Sequence, residues 1–99
     1  IQWGDLPDPK VGEGQLLIRT IAVAANPVDT VIRSGKFHGA PSLKMPYVLG
    51  IDLVGEVVHV GKNVKNFFAG MLVWSNGFGG SVGSQGSFAE LVVRDADYC

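Results

Sequence analysis

The residues of this chain that could do chemistry are few and scattered. The run Gly77-Phe78-Gly79-Gly80-Ser81-Val82 invites a phosphate-cradling reading, but Val82 stands where G-x-G-x-x-G needs its last glycine. No helical pattern follows it to offer an N-terminus to a pyrophosphate, so a surface loop is the better reading. His38 and His59 are isolated, and neither stands four residues from another ligand type, so no metal site is expected. Ser34, Ser75 and Ser81 lack a Gly-x-Ser-x-Gly setting. Asp52 and Glu56 lie too far apart along an extended strand to share a proton. Cys99, the single cysteine, can form neither an internal disulfide nor a zinc cage. Asn26 carries an amide that both donates and accepts, and it stands just before Pro27.

The elements that must position these groups are legible from pattern. Residues 1–14, with Pro7, Pro9, Gly12 and Gly14, read as a loop lead-in. Gln15 to Ala24 is dense in β-branched residues and reads as a largely buried strand. Asn26 is a good N-cap, Pro27 suits the first helical position and Gly35 can end the turn, so a short helix is expected over 27–34. Residues 36–49 read as loop. A second long strand is expected over 51–60, with Gly55 marking a bulge or a close approach. Shorter strands are expected over 71–74 and 87–93, with a glycine-rich loop over 75–87 between them. Several strands and one short helix give a mainly β barrel or sandwich.

Composition narrows the class. The chain has 99 residues, 46% of them hydrophobic and 17% charged, which allows one modest folded domain and excludes a disordered one. A net charge of -1 with scattered basic residues leaves no stripe for a nucleic-acid backbone. No apolar run reaches the ~20 residues that span a bilayer. The first residues lack the basic-then-apolar pattern of a signal peptide, and a reduced, cytoplasmic setting is expected.

Four segments then carry a resemblance. Asn26-Pro27-Val28-Asp29, followed by Arg33 and Gly35, resembles the Asn-Pro-Val-Asp-x-x-x-Arg-x-Gly signature of the zinc-free quinone oxidoreductases, the zeta-crystallin-like branch of the medium-chain dehydrogenase/reductases. Pro46-Tyr47, Gly50, Asp52 and Gly55 resemble that group's Pro-Tyr-x-x-Gly-x-Asp-x-x-Gly segment. Val57, Val60, Gly61, Val64, Phe67 and Gly70 match its next rhythm, and Gly86-Ser87-Phe88-Ala89-Glu90-Leu91 is similar to Gly-x-Phe/Tyr-Ala-Glu-Tyr. The segments come in family order.

The resemblance implies a GroES-like, partly open β-barrel over residues 1–99, which in this family packs beside a Rossmann domain that is not expected within the chain. It implies hydride transfer from NADPH to a quinone or enone in a cleft between the two domains, with the 99 residues alone inactive. Asn26 would sit at that cleft as a catalytic group, hydrogen bonding the nicotinamide ribose or the substrate carbonyl. Asn26 and Val31 would be the cofactor-facing positions. Zinc-dependent members carry a cysteine ligand where Asn26 stands and Gly-His-Glu where Gly50-Ile51-Asp52 stands. Asparagine and isoleucine are poor zinc ligands, so no metal is expected. The quinone reductases often carry tyrosine at the positions of Val31 and Phe37, and Gly70-Met71 replaces their usual Gly-Asp turn. The alternatives are a zinc alcohol dehydrogenase relative and a stand-alone, non-catalytic binding or assembly module like a co-chaperonin. The docking loop of such a module should be apolar, whereas residues 75–87 offer only Phe78 and Val82. With one flank expected to be uncovered, the chain should form homo-oligomers.

Overall fold

The computed structural model describes residues 4–5, 8–27, 48–75 and 86–99. Four strands form one antiparallel sheet: β1 (Gln15–Ala24), β2 (Asp52–Val60), β3 (Leu72–Ser75) and β4 (Leu91–Asp95). Their order is β3-β2-β1-β4, so β3 and β4 are the outer strands and no β3–β4 ladder closes the sheet among the described residues. A one-turn 3-10 helix, Ala96–Tyr98, follows β4. The mainly β content agrees with the strand pattern, and the open sheet agrees with the partly open architecture that the resemblance implies.

Alternation builds the core. Leu16, Ile18, Leu53, Val57, Val73 and Val92 are buried on one face of the sheet and form a single cluster. Each such side chain contributes about 1.5–3 kcal/mol when fully removed from water. The opposite face carries Arg19 and Glu56, an exposed ion pair at 3.0 Å that contributes little.

The pairing of β1 with β2 is interrupted twice. Val58 is the extra residue where Leu17 pairs with His59 and Ile18 with Val57. Ile21 is the extra residue where Thr20 pairs with Gly55 and Ala22 with Val54. A bulged residue has no partner across the ladder, and both side chains are exposed, Ile21 to 60%. Gly55 is buried opposite the second bulge. A methyl group there would meet the Ile18 Cγ2 and come within 2.5 Å of the Arg19 carbonyl oxygen, so the close approach expected at Gly55 is real and the bulge lies on its partner strand.

Several boundaries differ from expectation. β1 is buried only in its first half, because β4 pairs with residues 15–19 alone and leaves 21–24 exposed. The third strand starts at Leu72, since the Met71 N–H donates to the Phe68 carbonyl in a turn. The last strand starts at Leu91 and not at Ser87. Gly86, Ser87 and Phe88 instead donate their N–H groups to Val48, Gly50 and Leu49, and Ala89 donates back to Ser87, which bends the chain. Asn26 is described and Pro27 is already helical, while the remainder of the expected helix, with Val31, lies outside the described residues. So do Phe37, His38 and the run from Gly77 to Val82.

Candidate active site

β1 and β2 deliver the site at one end of their ladder. The last rung pairs Ala24 with Asp52, and Asn26 follows two residues beyond. There the Asn26 Nδ2 donates to Asp52 Oδ2 over 2.9 Å, with both residues half-buried. An ionised carboxylate only accepts, so the amide must turn its nitrogen toward Asp52. The bond therefore fixes both the amide's orientation and the side on which its oxygen lies.

Beside this pair lies a depression of about 460 Å³, lined by Ala22, Ala24, Leu53, Val54 and Trp74, with Asp52 as the charged group at its rim. Ala22, Val54 and Trp74 are partners across three adjacent strands and share one face. The lining is mostly apolar, with Asp52 and Ser75 as its polar residues. It suits an uncharged, largely apolar molecule that presents a hydrogen-bonding group at one end.

The backbone ahead of Asp52 is held carbonyl by carbonyl. The carbonyl of Val48 accepts from Gly86 N at 2.7 Å, that of Leu49 from Phe88 N at 2.9 Å, and that of Gly50 from Ser87 N at 3.1 Å. The carbonyl of Ile51 accepts from the Arg94 guanidinium, Nη2 to O at 3.5 Å. Two segments far apart in sequence thus lie against each other here. Glycine is required in both: Gly50 has a φ of +109°, and a methyl group on Gly86 would lie within 2.5 Å of the Val48 carbonyl oxygen.

Arg94 is 1% exposed, and its Nη1 also donates to the Val93 carbonyl at 3.1 Å. It projects from the face of β4 that carries Val92, so a cation occupies the core side of the sheet. Sequence reading missed it, although its two-residue spacing from buried Val92 was the available signal. Cys99 lies nearby. Burial pushes its thiol up from the ordinary value, while the Ser75 hydroxyl and the Arg94 charge pull the other way and Asp95 adds to the rise.

Of the expected site residues, the structure places Asn26 just past the end of the β1–β2 ladder, and it adds Asp52 as its hydrogen-bond partner. His59 is exposed on β2, away from the pair. Among the described residues no cluster of three or more His, Cys, Asp or Glu side chains could hold a metal ion, and no helix is long and apolar enough to cross a membrane.

Residues 12–99 match the alcohol dehydrogenase GroES-like domain family, and the chain belongs to that family. It is 44% identical over 68 residues to an NADPH-dependent alkenal/one oxidoreductase of Arabidopsis thaliana, covering 69% of this chain and 17% of that protein. It is 43% identical over 70 residues to a quinone oxidoreductase of Sus scrofa, covering 71% of this chain and 20% of that protein. Among solved structures, a quinone oxidoreductase of Pseudomonas syringae pv. Tomato superposes with a TM-score of 0.84 at 28% identity, over 98% of this chain and 27% of that one. The chain thus spans between about a sixth and about a quarter of the length of these relatives.

Proposed function

We propose that this chain is the substrate-side domain of an NADPH-dependent, zinc-independent oxidoreductase that reduces quinones or enones by hydride transfer. The observation that carries the reading is the Asn26–Asp52 hydrogen bond, whose Asp52 partner helps line a mostly apolar depression. A carbonyl compound fits such a place: its hydrocarbon part meets Ala22, Val54 and Trp74, and its polar end meets the oriented amide. The names of the relatives, alkenal/one and quinone oxidoreductases, support the substrate class.

The reduced nicotinamide supplies the hydride when bound. This chain's residues would contribute orientation. Asn26, with one Nδ2–H held by Asp52, would offer its second Nδ2–H to the substrate oxygen on which charge develops, and a preorganised donor costs no reorganisation during reaction. The Asn26 amide would face the nicotinamide end of the cofactor. The rest of the cofactor would be held by a dinucleotide-binding partner domain, in keeping with the fraction of its relatives that the chain spans.

The test is to join this chain to its full-length protein and assay NADPH oxidation with a quinone and with an enone, in the presence of a zinc chelator. Turnover that persists with chelator and falls in Asn26→Ala is expected. Activity that needs zinc, or that ignores Asn26→Ala, would overturn the reading.

A further inference from the structure

We propose that Arg94 is a positioning residue for the Asn26–Asp52 pair; its relevance to turnover rests on the function proposed above. Three backbone N–H groups from residues 86–88 occupy the carbonyls of Val48, Leu49 and Gly50. They stop one peptide short of Asp52. The next carbonyl, that of Ile51, accepts from within the core, from Arg94 Nη2 at 3.5 Å. The Ile51 carbonyl belongs to the same peptide plane as the Asp52 N–H, so holding it fixes where the Asp52 side chain leaves the backbone. The carboxylate then meets the Asn26 amide at 2.9 Å.

Two features separate this role from mere packing. Arg94 is 1% exposed, and a buried guanidinium is costly unless its donors are used. An apolar side chain would fill the same volume without that cost. Its planar fork also takes two carbonyls at once, Val93 on its own strand and Ile51 at the entry to β2. Lysine, with a single ammonium on a flexible stem, does not reproduce two fixed directions. The guanidinium thus links β4 to the start of β2, two strands that do not neighbour each other in the sheet.

The experiment is nuclear magnetic resonance on the isotope-labelled 99-residue chain, with no ligand added. The Asn26 side-chain amide pair is assigned by its loss in Asn26→Ala. In Arg94→Lys and Arg94→Met the Asn26 signals should move toward their positions in Asp52→Ala, while the methyl signals of Ile18 and Val57 stay in place. Should either variant fail to fold, the wild-type chain is itself diagnostic. Arg94 guanidinium protons should exchange slowly and show cross-relaxation to Ile51 and Asp52. An Asn26 amide that ignores Arg94 in a folded variant, or guanidinium protons without that contact, overturns the proposal. In the complete reductase, Arg94→Lys should lower kcat by about tenfold with little change in KM for NADPH, the signature of a displaced group. Displaced Asn26 signals with unchanged kcat would overturn the catalytic role given to Asn26 and leave the positioning role standing.

Discussion

The Asp52 carboxylate accepts from the Asn26 side-chain amide over 2.9 Å, joining the first residue of β2 to a residue just past the end of β1. Hydrogen bonds to a charged partner contribute about 1.5–3 kcal/mol when shielded, and less when half-exposed as here. Asn26→Ala and Asp52→Ala should each cost about 1–2 kcal/mol, Asn26→Ala including any helix cap it provides. Urea unfolding of the two single variants and the double variant checks this. A coupling energy of about 1 kcal/mol is expected, and additive losses would mean that the two side chains act independently.

Gly55 is the residue on which the β1–β2 bulge depends. A methyl group there meets Ile18 and the Arg19 carbonyl, neither of which can swing away cheaply. Gly55→Ala should destabilise by about 1–3 kcal/mol through overpacking. Gly4→Ala, where nothing lies within 4 Å, should stay within about 0.5 kcal/mol of wild type. Thermal melts of the two variants make the comparison.

Cys99 should behave as a guarded thiol. Its pKa is raised by burial, so the folded chain holds the thiol proton more tightly than the unfolded chain does. The stability this contributes is fully present below the ordinary thiol value. It is lost as the pH rises through the higher, folded value. A disulfide reagent should therefore react more slowly with native protein than with urea-unfolded protein. Cys99→Ser should flatten the alkaline limb of the stability profile. Equal reaction rates in the two states would contradict the burial argument.

Much of this was legible in the sequence, for identifiable reasons. The two long strands announced themselves through dense β-branched residues, and Gly55 through its isolation within one of them. The Asn26 segment and the Gly50–Asp52 segment stood out as motifs, but nothing in their spacing said that Asn26 and Asp52 would meet. That contact depends on the register of β1 on β2, which two bulges set and which periodicity does not encode. The last strand starts later than its pattern suggests, because Phe88 and Ala89 ahead of Leu91 read as a continuation of the apolar run. The N–H groups of Ser87 and Phe88 go instead to the carbonyls of residues 50 and 49, a long-range pairing invisible to local pattern. Arg94 escaped notice because a charged residue near a strand end ordinarily faces water, whereas here the strand's parity turns it into the core.

The face opposite the core exposes large apolar side chains on its outer strand β3. Val54, Trp74 and Leu72 lie on that face, with Leu72 exposed to 67% and Trp74 to 65%. Ala22 extends the same row across β1. Leu72 and Trp74 belong to β3, an outer strand of the sheet. An apolar row on an outer strand combines the two features that favour association, apolar surface to bury and ladder groups able to pair. We therefore expect the 99-residue chain to self-associate with a mass-action dependence on concentration. Sedimentation equilibrium up to ~100 µM should show a dimer or larger species. Leu72→Lys should shift the population to monomer, because a lysine on an outer strand opposes edge pairing and breaks the apolar row without disturbing the buried cluster. A wild-type chain that stays strictly monomeric over that range and melts cooperatively would show that the exposed row is tolerated in water and that the domain is sufficient by itself.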